Sequence, residues 1–185
     1  MANMASVAYA IEGPQKDLEE ICGAICLAIS DTEDKRYEEY ITCLKLGYSE
    51  EELDKYRLGG EIFDEPEIID GVIEFWAEER WGLQDFEELL RKKFPEIKVY
   101  WIVEESGCDV YATNDKEGKY FPERYWVDTC INDNYQSEYF TKEEDIWNWL
   151  SKLTDGKVTN MEQAEEYVGT SEEDFIFVHE FEVMD

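Results

Sequence analysis

The stretch Ser6-Val7-Ala8-Tyr9-Ala10-Ile11-Glu12 alternates in the manner of a strand, and Gly13-Pro14 ends it. From about Gln15 to Ile29 the period changes. Leu18, Ile21, Cys22, Ile25 and Ile29 recur at helical spacing and predict an amphipathic helix. A wetter helical pattern follows from Asp31 to Gly60. Tyr37, Tyr40, Ile41 and Leu44 mark one helix and Gly47 interrupts it. Ser49 with Glu52 then forms a capping box for a second short helix ending near Gly59-Gly60. Glu61 to Asp70 is acidic and contains Pro66, so it reads as a loop with a short strand at its start.

Val72 to Trp81 sets Ile73, Phe75 and Ala77 against Glu74, Trp76, Glu78 and Arg80, a strand with one apolar and one mixed face. After Gly82 a helix carries Leu83, Phe86, Leu89, Leu90 and Phe94 on one side. Its last turn holds Arg91, Lys92 and Lys93, the sign that suits the negative end of a helix dipole, and Pro95 stops it. Lys98 to Glu104 is the next strand, and Ser106-Gly107 turns it into a hairpin partner at Asp109 to Thr113. Asn114 to Gly118 is a second turn and Arg124 to Ile131 a further strand. Thr141 with Glu144 predicts a capping box for a helix with Ile146, Trp147, Leu150 and Leu153; Thr159 with Glu162 predicts another. In the closing segment, Asp174 to Val183, alternation places Phe175, Phe177, His179, Phe181 and Val183 on one apolar face.

These elements predict an α+β fold with a largely antiparallel sheet covered on one face by helices. The order up to about Glu104 is that of a split βαβ, ferredoxin-like unit. The expected organisation is one compact domain over 1–185. Its core spans about 6–112 with a helical insertion at 31–60, and a β/α extension at 113–185 packs on it.

Charge changes the functional picture. The 185 residues hold 47 Asp and Glu against 17 Lys and Arg, a formal net charge of -30. Such a chain repels nucleic acid and anionic membrane and attracts basic protein surfaces. With 43% hydrophobic and 15% aromatic residues it still has the material for a core, unlike an acidic disordered tail. No apolar run approaches the roughly 18 residues of a membrane helix. Met1 to Glu12 lacks the regions of a signal peptide, so a soluble, cytoplasmic protein is expected. Cys22, Cys26, Cys43, Cys108 and Cys130 are odd in number and lack C-x-x-C spacing, which fits reduced thiols better than a disulfide framework or a zinc ribbon. Cys22 and Cys26 share a helix face and read as small core-facing residues.

Three runs, V-x-Y-x-I-E-G at the start, E-F-W-A-E-E-R-W-G, and F-P-E-I-K-V-Y-W-I-V-E-E-S-G, together resemble the YubB-like ferredoxin-fold domains. The carrying residues are Trp76, Trp81, Phe94-Pro95, Val99-Tyr100 and Glu104-Glu105-Ser106-Gly107, within residues 6 to 112. The resemblance implies a ferredoxin-like fold and occurrence in bacteria, often on mobile elements. It implies no reaction.

Candidate chemistry is sparse. Glu74 and Glu78 flank Trp76 on one strand face, with Trp81 close by, as a sugar-binding face or a minor hydrolase would use; the alternative is a solvated strand face. Asn114-Asp115-Lys116-Glu117-Gly118 reads as a turn rather than a calcium loop. His179 is the only histidine and reads as a core or edge residue. No phosphate loop, G-x-S-x-G or H-E-x-x-H occurs, so no cofactor, metal or catalytic residue is expected. The two short helices before Gly60 resemble a helix-turn-helix. Glu50, Glu51, Glu52 and Asp54 would set like charge against phosphates there, which argues against direct nucleic-acid binding.

Acidic clusters remain: Glu50-Glu51-Glu52 with Asp54, then Asp64, Glu65 and Glu67, Glu143-Glu144-Asp145, and Glu172-Glu173-Asp174. They either keep the protein soluble or bind a basic partner. The expected function is non-enzymatic binding of a basic protein surface, such as the groove of a nucleic-acid-binding enzyme, by mimicry of nucleic acid. The expected interaction surface is Glu50, Glu51, Glu52, Asp54, Asp64, Glu65 and Glu67. The alternative is a sugar- or small-molecule-binding face on Glu74, Trp76, Glu78 and Trp81.

Overall fold

The computed structural model describes residues 3–168 and 174–184, so Glu172 and Glu173 of the last acidic cluster lie outside the described residues. The chain forms two compact units, Met1–Asp115 and Lys116–Met184. Both are α+β, and the strands pair antiparallel within each unit.

The first unit contains β1 (Met4–Glu12), α1 (Gln15–Ile29), α2 (Glu38–Lys45), α3 (Glu50–Leu53), β2 (Gly60–Ile62) and β3 (Ile68–Ile69). It continues with β4 (Val72–Arg80), α4 (Phe86–Lys93), β5 (Lys98–Glu105) and β6 (Val110–Thr113). Its strands run in the order β6-β5-β1-β4-β2, and β3 also pairs with β4. β1 lies at the centre, with Tyr9 opposite Phe75 on one side and Trp101 on the other. One face of each strand meets the helices: Val7, Tyr9 and Ile11 with Ile73, Phe75 and Ala77 join Leu18, Ile21, Ile25, Phe86 and Leu89 in one core. Tyr9 stacks on Phe75 at 5.0 Å, and Phe86 meets both rings edge-on. Burying each such side chain contributes about 1.5–3 kcal/mol.

The Ser49–Glu52 capping box is formed, with the Ser49 hydroxyl accepting from the Glu52 N–H and the Glu52 carboxylate accepting from the Ser49 N–H. The helix it opens ends at Leu53, earlier than the expected Gly59-Gly60, because Gly60 already belongs to β2. Cys22 and Cys26 are half-buried, and Cys22 packs against the edge of the core. The Cys22 thiol donates to the Pro66 carbonyl at 3.1 Å, since the loop before β3 covers that side of α1.

The second unit contains β7 (Tyr125–Ile131), β8 (Asn134–Phe140), α5 (Glu143–Leu153), α6 (Met161–Val168) and β9 (Phe175–Glu180), with strand order β8-β7-β9. β8 has no counterpart among the predicted elements. Ile131 pairs with Asn134, so Asn132 and Asp133 alone form the turn, at φ of 53° and 61°. Both residues tolerate this left-handed backbone, the requirement of a type I′ hairpin. Val127, Phe140, Ile146, Leu150, Val158 and Ala164 form the core, with Ile176 and Val178 packed against it.

Ile176 and Val178 thus take the helix side of β9, which corrects the expected apolar face. Phe175, Phe177 and His179 point the other way, and Phe181 is buried beyond the strand end. Helix α5 starts after Lys142 without a side-chain cap, one residue too late for Thr141 and Glu144 to form their box. Before α6 the motif is also shifted by one. Asn160 Oδ1 accepts from the Gln163 N–H, and Gln163 accepts from the Thr159 N–H at 2.8 Å.

Candidate functional site

Strand alternation brings Glu74, Trp76 and Glu78 onto the exposed face of β4, opposite Ala10, Ala8 and Ser6 of β1. Trp76 is 61% exposed and Trp81 63%. Trp81 lies beyond the strand end at φ 64°, its N–H donating to the Asn3 carbonyl. Glu61 of β2 sits directly opposite Glu78, and Ser6 separates Glu78 from Glu104 of β5. Across four strands the face therefore carries a row of three carboxylates and one serine, with Glu74 and Trp76 beside it. Like charges directly opposite on neighbouring strands destabilise a sheet.

The acidic insertion divides into two groups. Arg36 bridges Asp34 at 2.6 Å and Glu50 at 2.7 Å, and its guanidinium lowers the Asp34 carboxyl to about 2. Hydrogen bonds from the Ser49 backbone and hydroxyl lower the Glu52 carboxyl. Glu50 and Glu52 thus serve the local fold although exposed, and Glu51, Asp54, Asp64, Glu65 and Glu67 are exposed as well. Several cations of this unit are held locally: Arg91 by Glu87, Lys93 by Glu20, Lys98 by Glu12 and Lys45 by Asp31.

Sequence reasoning missed a cluster inside the first unit. Glu39 of α2 and Glu79 of β4 are both fully buried, beside Tyr9 of β1. Glu79 accepts from the Tyr9 hydroxyl at 2.5 Å and from the Gln84 N–H. Glu39 Oε2 accepts from the Gly60 N–H at 2.9 Å, while Oε1 accepts nothing among the described residues. Burial, and after it the neighbouring Glu79, raises the Glu39 carboxyl well above the carboxylate range. Burial raises Glu79 as well, opposed by the hydrogen bonds it receives from Tyr9, Glu39 and Gln84. The pocket therefore favours the protonated form of the Glu39 carboxyl. Complete burial keeps this pair from any substrate, so it ties α2 to the sheet rather than performing acid–base chemistry. A Cβ at Gly60 would sit inside the Glu39 carboxyl group, so close approach requires glycine there.

In the second unit the face of the sheet turned from α5 is aromatic. β7 contributes Trp126, Asp128 and Cys130; β8 contributes Tyr139, Ser137 and Tyr135; β9 contributes His179, Phe177 and Phe175. Trp126 stacks on His179 at 5.3 Å and Phe175 on Phe177 at 5.0 Å, with Tyr135 edge-on to Phe175. Tyr135 is 71% exposed, Phe177 53% and Tyr139 43%. Among the described residues, no group of three or more His, Cys, Asp or Glu is placed to hold a metal ion, and no helix is long and apolar enough to cross a membrane. No family model, curated protein or solved structure matches the chain.

Proposed function

We propose that the protein acts by binding, its acidic surface receiving a basic surface of another macromolecule in the manner of a nucleic-acid mimic. The carrying observation is the row of Glu61, Glu78 and Glu104 on rigid strands. A solvated strand face needs polar side chains, which threonine or lysine would supply without repulsion. Setting two carboxylates directly opposite each other costs stability and exceeds what solubility requires. Fixed negative charges on a sheet resemble a phosphate backbone in kind, and a basic groove would release counterions on meeting either. The order β5-β1-β4-β2, with α1 after β1 and α4 after β4, supports a ferredoxin-like unit as the scaffold. Free thiols at Cys22, Cys26, Cys43, Cys108 and Cys130 suit a reducing compartment.

The second reading, a sugar- or small-molecule-binding face on Glu74, Trp76, Glu78 and Trp81, draws on the exposure of both tryptophans. Capture from a bacterial lysate at low salt, followed by a salt gradient, separates the two. The proposal expects one nucleic-acid-handling protein in a defined peak, displaced by free DNA. A weak smear of basic proteins would overturn it. Binding that survives salt but is lost in Trp76→Ala would favour the second reading.

A further inference from the structure

The aromatic face of the second unit holds one charged group at its centre. Asp128 lies on the middle strand, directly opposite Phe177 on one side and Ser137 on the other. Its diagonal neighbours are Tyr135 and Tyr139 on β8 and Phe175 and His179 on β9, and Trp126 precedes it by two residues on the same face. Diagonal positions lie about 7–8 Å apart, within reach of aromatic side chains. Asp128 is half-buried and, among the described residues, makes no hydrogen bond or ion pair. The Cys130 thiol chiefly, then burial and the carboxylates of Asp128 and Asp133, raise the Tyr135 hydroxyl.

A half-buried carboxylate without a partner costs free energy that a cation would recover. Aromatic rings present negative faces, so the surrounding residues favour the same sign of ligand as Asp128 does. A guanidinium fits better than an ammonium. It is planar and weakly hydrated, stacks on rings, and pairs with a carboxylate through two parallel N–H donors. The face spans three strands with Tyr135, Phe177 and Tyr139 exposed, which gives an extended chain room to lie across it.

We propose that this face binds an arginine side chain, presented by an extended basic segment of a protein partner, with Asp128 pairing the guanidinium and Phe177, Tyr135 and Trp126 stacking around it. The site rests on the reading of the protein as a binder of basic surfaces and gives that partner one defined contact.

The test uses the full chain, labelled with ¹⁵N, and three capped peptides of alternating glycine with arginine, lysine or citrulline. Citrulline keeps the shape of arginine and removes its charge. The arginine peptide should shift the Trp126 indole signal and the amides of Asp128, Tyr135 and Phe177, and should bind about fivefold or more tighter than the lysine peptide. Citrulline should bind least. Phe177→Ala and Asp128→Asn should each weaken the arginine peptide about tenfold, with unchanged amide spectra elsewhere. Tyr135→Ala, at the most exposed ring, carries the test should Asp128→Asn perturb the sheet. Shifts spread equally over Glu51, Asp54, Glu74 and Glu78, the same for arginine and lysine and insensitive to Phe177→Ala, would overturn the site. Salt-dependent capture of a basic partner by the Phe177→Ala protein would then show that the wider reading survives without it.

Discussion

Glu78 and Glu79 are adjacent in sequence and opposite in environment. Glu78 points to solvent, faces Glu61 across the strand pair, and adds to a repulsive row. Glu79 points into the core, where the Tyr9 hydroxyl and the Gln84 N–H donate to it beside the buried Glu39. One carboxylate costs the sheet stability, and the other anchors Tyr9 and the turn at Gln84 inside the core. The comparison teaches that the acidity of this chain is of two kinds. Replacing the opposed surface carboxylates Glu61 and Glu78 should relieve the fold, and replacing the buried Glu79 should damage it.

The largest expected effect is at Glu79. Glu79→Ala removes the acceptor of two buried donors and leaves a cavity, for an expected loss of about 3–5 kcal/mol in chemical denaturation. Glu79→Gln should also destabilise, because its NH2 group must face a donor from which the carboxylate oxygen accepted. A loss below about 1 kcal/mol for both would place the pair outside the fold's support. Gly60→Ala comes next, at about 1–3 kcal/mol, since the new methyl group overlaps the Glu39 carboxyl.

Glu39→Gln separates the partners. The amide it introduces can still accept from the Gly60 N–H and donate to Glu79, so the substitution should be nearly neutral at acidic pH. In the native protein the folded state holds the Glu39 proton more tightly than the unfolded chain does. The stability this contributes is fully present below the unfolded value near 4.3 and is lost as pH rises toward the raised folded value. The melting temperature of the native protein should therefore fall relative to Glu39→Gln as pH rises from about 5 to 9. Parallel curves across that range would contradict the raised Glu39 carboxyl.

Part of this contrast was legible in the chain. The alternation of Ile73, Phe75 and Ala77 identified β4 and its exposed face, and one further step of the same period places Glu79 inside. On α2 the buried positions Glu39, Thr42 and Cys43 follow a helical stripe, so Glu39 carries the same kind of local signal. Their meeting is a tertiary contact between residues far apart in the chain, which periodicity does not encode. Strand β8 escaped because its residues are mostly exposed and polar, leaving little alternation to read. The Asn132-Asp133 turn was its available signal. The aromatic face of the second unit was half visible in Phe175, Phe177 and His179, but its side was misassigned because Ile176 and Val178 are equally apolar.

The smallest effect on stability bears most directly on function. In the double variant Glu61→Gln, Glu78→Gln, both the stability and the salt-dependent binding of the partner retained in low-salt capture would be measured on the same preparation. The account predicts that stability rises by about 0.2–1 kcal/mol while binding weakens, as the repulsive row is removed from both. Binding at unchanged strength and unchanged salt slope would contradict the claim that this face receives a basic surface.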